Sequence, residues 1–132
     1  MKENFIFDTK RANEYFKEKI SFEIAPKELH DLMKTDINNI NIIDVREYDD
    51  YIDGHIPYAI HVPLNDFANH LVMLEKDKIN IVYGYCPYSL CAYKAGVMMS
   101  QNHYPARVLM GGIKIWEKFE YDIVKTSSNQ DK

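Results

Sequence analysis

At 132 residues, with 46% apolar and 27% charged side chains, the chain has the size and balance of one globular domain with a real core. Its net charge of −4 offers no general attraction to nucleic acid or acidic membranes, and no basic block makes a local exception. The start, Met1-Lys2-Glu3-Asn4-Phe5, lacks the long apolar core of a signal peptide, and no apolar run approaches transmembrane length. The expectation is a cytoplasmic protein that crosses no membrane and whose two cysteines stay reduced.

Taken in chain order, residues 8–20 (DTKRANEYFKEKI) place Ala12, Tyr15, Phe16 and Ile20 on one helical face behind an Asp8/Thr9 cap signal. This helix makes 1–20 an N-terminal extension, its apolar face free to wrap the domain or to pair with another subunit. SFEI (21–24) reads as a short strand, and PKELHDLMK (26–34) as a helix opened by proline. NIIDV (41–45) is an apolar strand ending near a carboxylate, and REYDDYIDG (46–54) a short helix closed by Gly54. AIHVP (59–63) is a third strand, after which Asn65 is placed to cap a helix reaching Leu74. INIVYG (79–84) is the fourth strand, Ser89 to Gln101 a helix, ARVLM (106–110) the fifth strand, and GGIKIWEKF (111–119) a final short helix.

Strands rich in Ile and Val that alternate with helices predict an α/β fold. The predicted domain spans 21–124, with a central, mostly parallel five-stranded sheet and helices on both faces. The polar tail KTSSNQDK (125–132) reads as disordered. In such sheets ligands bind beyond the carboxyl ends of the strands. Two segments end there with polar chemistry: Asp44-Val45-Arg46, and Tyr85 to Cys91.

The second segment carries the chemistry. Cys86 follows a strand directly, and a helix opens a few residues later, its first amides unpaired within the helix. A loop curled around Cys86 would turn those amides and the positive helix end toward the sulfur, favouring thiolate over thiol. Pro87 has no amide hydrogen, so donors must come from residue 88 onward. The competing reading is an inert cysteine buried at a strand end.

IIDVREYDDYIDGHIPYAIHVPL, IVYGYCPYSLCAYKAGVMM and RVLMGGIKIWEKFEYDIV together resemble, in order and spacing, the rhodanese-like family of single-domain sulfurtransferases. The resemblance covers about residues 21–124. It implies that Cys86 accepts a sulfane sulfur as a persulfide and passes it to a nucleophile. The main-chain amides of the loop Pro87, Tyr88, Ser89, Leu90 and Cys91, roughly those from Tyr88 on, would cradle that persulfide. The implied partners are a small-molecule or protein persulfide donor and a thiol acceptor, with no cofactor. Many members carry arginine five residues after the cysteine, where this chain has Cys91, and glycine three residues after it, where this chain has Ser89. Without the arginine there is no guanidinium fork for an oxyanion, which points away from thiosulfate as donor. Related phosphatases and arsenate reductases place arginine six positions after the cysteine; here that residue is Ala92.

Cys91 has two readings: a resolving thiol that forms a disulfide with Cys86, or a small residue filling the first helical turn. A transferase and a rhodanese-fold redox switch or binding module using both thiols are therefore the two functions to separate. No metal spacing is present, since four residues lie between the cysteines and no histidine pair completes a set. Asp44 is expected to support the loop, Arg46 to pair with a carboxylate such as Glu47 or Asp49, and His55 to fix a turn through its ring. Tyr88 would shape access to the sulfur, Gly111-Gly112 allow close packing at the last helix, and Trp116 fill core space.

Overall fold

The computed structural model describes residues 6–126. Its elements alternate as the pattern predicts: α1 (Thr9–Phe22), β1 (Glu23–Ile24), α2 (Pro26–Thr35), β2 (Ile40–Asp44), α3 (Tyr48–Asp53), β3 (Ile60–His61), α4 (Phe67–His70), β4 (Ile79–Tyr83), α5 (Cys91–Gln101), β5 (Ala106–Leu109) and α6 (Gly112–Lys118). All strand pairings are parallel, in the order β1-β5-β4-β2-β3.

Side-chain alternation along the strands feeds two apolar layers. Ile40 and Ile42 of β2, Ile81 and Tyr83 of β4, and Leu109 of β5 pack on one face against Leu29 of α2 and Ile113 and Trp116 of α6. Ile43, Val82 and Val108 point the other way, against Phe67 of α4 and Ala92, Ala95 and Met99 of α5. Because both faces are covered, the central strands carry neighbouring apolar residues that point to opposite faces, Ile42 and Ile43 in β2 and Ile81, Val82 and Tyr83 in β4.

Two predicted stretches change element. Ser21 and Phe22, expected in a strand, complete α1: the Ser21 hydroxyl donates to Lys17 O and the Glu23 amide to Lys19 O, which are helical bonds. Only Glu23 and Ile24 reach the sheet, opposite Val108 and Leu109. The predicted helix from Asn65 to Leu74 is broken into α4 and two flanking 3₁₀ turns, Leu64–Asp66 and Leu71–Met73. Asp66, not Asn65, precedes the helical turn, and the Leu74 amide donates to Leu71 O so that both leucines stay buried.

Helix α1 buries none of its residues fully. The Asp8 side chain caps its start by accepting from the Arg11 amide. Its end is pinned by Arg107, whose Nη2 donates to Ile20 O and Glu23 O while Nη1 meets Glu28 of α2. At the other terminus, Thr126 donates its amide to Ile52 O; residues 127–132 of the predicted tail lie outside the described residues. No helix among the described residues is long and apolar enough to cross a membrane.

Candidate active site

The chain leaves β4 at Gly84 and turns over the start of α6. Gly84 O accepts from the Ile113 amide and Tyr85 O from the Lys114 amide, both at 3.0 Å. These bonds bring Gly112 directly against the turn. A Cβ on Gly112 would lie 2.7 Å from Gly84 O and 2.9 Å from the Cys86 amide nitrogen, and φ there is +64°. Glycine is thus required twice at this position, for the close approach and for the left-handed backbone. The close packing read from the Gly-Gly pair is against the cysteine loop itself.

Cys86 is half-buried and free, as is Cys91. Cys86 O accepts from the Ser89 amide at 3.1 Å, and the Ser89 hydroxyl accepts from the Cys91 amide at 3.3 Å. That second bond delays α5, which starts at Cys91 rather than Ser89; its opening bond runs from the Lys94 amide to Leu90 O. Two of the amides expected to face the sulfur, those of Ser89 and Cys91, are therefore engaged within the loop. Pro87, Tyr88 and Leu90 are exposed at the rim, Tyr88 with 91% of its surface in solvent. Beside Cys86 lies a small pocket bounded by Gly84, Ser89, Ala92, Tyr93 and Gly112. The Cys91 side chain packs against the apolar layer between the sheet and α5.

Asp44, Arg46 and His55 form a neighbouring network. Asp44, fully buried at the end of β2, accepts from the Arg46 amide, from Arg46 Nε and Nη2, and from the Tyr83 hydroxyl at 2.6 Å. Arg46 pairs with Asp44, and not with Glu47 or Asp49 as expected, because its side chain folds inward and also donates to Gly54 O. Burial opposes its charge, and the bonds to Asp44 outweigh that and hold the guanidinium above its usual range. Burial and Asp44 push the Tyr83 hydroxyl far up. Tyr83 also accepts from the Ile56 amide, which ties β4 to the turn after α3. His55 bonds Tyr51 O through Nδ1, stacks on the Tyr51 ring at 4.0 Å, and pairs its backbone with Val124.

The side-chain bonds of this network run among its own members and to Tyr51, Gly54 and Tyr83, and its backbone also bonds His61, Val62 and Val124; none of these bonds reaches residues 86–91. It reaches the loop indirectly: Tyr83 stands three positions before Cys86, and the Tyr85 hydroxyl accepts from the Glu47 amide at 3.1 Å. Two participants were not foreseen, the Ser89 hydroxyl and Tyr93. Serine-to-backbone bonding two residues on is a local signal that the loop sequence does carry. Tyr93 had none, since its partner Glu23 is far away in sequence. No group of three or more His, Cys, Asp or Glu among the described residues could hold a metal.

Comparison with known proteins agrees with this architecture. The family described as Rhodanese-like domain matches residues 25–119, which leaves α1 outside it. The chain is 26% identical over 98 residues to "Putative sulfurtransferase YtwF" of Bacillus subtilis, covering 72% of this chain and 89% of that one. It is 32% identical over 60 residues to the HTH-type transcriptional regulator Rv0324 of Mycobacterium tuberculosis, a match to 46% of this chain and only 26% of the regulator. Among solved structures, the BH2092 protein of Bacillus halodurans superposes with a TM-score of 0.83 at 29% identity, covering 90% of this chain and 88% of that one.

Proposed function

Since the chain belongs to the rhodanese-like domain family, we propose that it is a sulfurtransferase carrying a sulfane sulfur as a persulfide on Cys86. The observation behind this is the seating of Cys86: half-buried, at the end of β4, over a glycine floor and before the positive end of α5. In the loading step the Cys86 thiolate attacks the outer sulfur of a donor persulfide. The donor S–S bond breaks, and its electron pair leaves with the donor thiolate. In the second step an acceptor nucleophile attacks the outer sulfur now on Cys86, and the Cys86 thiolate is restored. The Tyr88 and Leu90 amides, and the positive end of α5, supply the dipoles that stabilise negative charge on the outer sulfur.

The donor is a persulfide or polysulfide rather than thiosulfate. Arg11, Arg46 and Arg107 are the chain's arginines, and none lies in 86–91. The Arg46 guanidinium is taken by Asp44 and Gly54 O, and that of Arg107 by Glu28, Ile20 O and Glu23 O. Neither of these two guanidiniums is free to grip a sulfonate, and Arg11 stands in α1, outside the 86–91 loop. Cys91 acts as a core-packing residue, in keeping with its side chain against the apolar layer.

The test is intact mass after reduced protein meets a persulfide donor or, separately, thiosulfate. The persulfide donor is expected to add one sulfur atom that a thiol discharges and that is absent in Cys86→Ser; thiosulfate is expected to add none. Loss of two hydrogens without added sulfur would instead make Cys86 and Cys91 a redox pair.

A further inference from the structure

A second concave region lies on the α1 side of the sheet. Between α1 and α5 runs a groove of about 510 Å³, walled by Tyr15 and Phe22 of α1, Tyr93 and Val97 of α5, and Tyr104 and Val108. That volume falls in the range of small-molecule sites, roughly 300–1,000 Å³. Gly96 opens the α5 wall, because a Cβ there would meet nothing nearer than Val108 Cγ2 at 3.9 Å. From Tyr93 to Ser100 the groove follows α5 for about 10 Å at the helical rise.

The groove adjoins the sulfur site. Tyr93 and Val108 line both it and the small pocket beside Cys86. The Tyr93 hydroxyl donates to Glu23 Oε1 at 2.7 Å, and Glu23 Oε2 is paired with Lys19 Nζ at 2.6 Å. Helix α1 thereby holds the side chain that partitions groove from pocket. Burial and Glu23 push the Tyr93 hydroxyl up to about 12, so it remains a donor at neutral pH. The charges on the lining are Lys19 and Glu23, which compensate each other, and Glu18, which leaves the site negative. Such a lining repels an anionic body and accepts a neutral apolar one.

We infer that the groove between α1 and α5 seats the apolar, uncharged body of a small thiol persulfide whose sulfane sulfur reaches Cys86 past Tyr93. The inference rests on the sulfurtransferase reading, since it assigns the class of donor for that site. The step is the loading reaction above, in which the carrier departs as its thiolate.

The experiment compares Cys86 loading from benzyl persulfide with loading from inorganic polysulfide, which has no body to seat. Wild type, Gly96→Leu and Val97→Asp are measured by intact mass against time. Leucine is a good helix former and its Cβ meets no clash, so Gly96→Leu plugs the groove in a folded protein. Val97 is 55% exposed, so aspartate there is tolerated and places charge on the wall. The ratio of benzyl persulfide to polysulfide rates is expected to fall about tenfold or more in both variants, the effect of losing burial of one aromatic ring. An unchanged ratio overturns the inference. Binding of dibenzyl sulfide, which carries no sulfane sulfur, to Cys86→Ser is followed by NMR shifts of α1 and α5 amides. Shifts there without loading by any donor keep the groove and defeat the sulfurtransferase reading. Polysulfide loading without such shifts does the reverse.

Discussion

Gly112 lies against Cys86: a side-chain carbon on Gly112 would stand 2.9 Å from the Cys86 amide nitrogen, closer than packed atoms come. The loop that presents the sulfur is therefore set on α6, an element 26 positions further along the chain, as well as on the strand and helix beside it.

Gly112→Ala is expected to destabilise the fold by about 1–3 kcal/mol through backbone strain at φ +64° alone. The added methyl also pushes on Gly84 O and the Cys86 amide, so loading of Cys86 should fall even where the variant is fully folded. Urea unfolding and intact-mass loading at a temperature well below the transition separate the two effects. A stable variant that loads like wild type would show that the floor under Cys86 is not needed.

Cys91→Ala is expected to keep the ability to load one sulfur onto Cys86, because the Cys91 side chain packs on the core and its amide, which the Ser89 hydroxyl holds, survives the change. Stability should drop by about 1 kcal/mol for the lost sulfur contact. Accumulation of several times more persulfide than in wild type would instead identify Cys91 as a resolving thiol.

Asp44→Asn removes the counter-charge of a guanidinium that has only 7% of its side chain in solvent. The expected loss is about 3–5 kcal/mol, as for a buried pair broken on one side. Arg46→Met combined with Asp44→Asn should recover part of that loss, because no buried charge is left. Thermal unfolding of the single and double variants measures it, and a single variant within about 0.5 kcal/mol of wild type would remove the pair from the account of stability.

Alkaline pH should weaken the fold through Tyr83 and Tyr93. Both hydroxyls titrate higher in the folded chain than the usual value near 10, Tyr93 at about 12 and Tyr83 beyond. Above pH 10 the unfolded chain gives up these protons and the folded one keeps them, so the folded state binds more protons and stability falls as pH rises. Their contribution is complete below pH 10 and declines above it, through about 12 for Tyr93. Tyr83→Phe and Tyr93→Phe should each flatten that decline in urea midpoints taken across the window, and an unchanged slope in both would contradict it.

The element pattern was readable in the sequence because its causes are local. Ile42-Ile43 and Ile81-Val82-Tyr83 are apolar on consecutive residues, which marks strands covered on both faces. Cys86 between a strand and a helix marked the turn, since free helix amides are a property of any helix start. At Ser21-Phe22 and 65–74, where the predicted elements changed, helix and strand or helix and 3₁₀ turn differ little in local preference, and packing decided.

Which side chain meets which was decided by the tertiary structure. The fold carries Gly112 under the Cys86 loop and turns Arg46 back onto Asp44 and Gly54 rather than outward to its neighbours. It also brings Glu23 and Lys19 to Tyr93, so that a helix outside the family match becomes one wall of the groove that adjoins the pocket beside Cys86. These contacts join residues distant in sequence or depend on which way a side chain is buried. Periodicity and spacing record neither, because they report only how a residue relates to its near neighbours along the chain.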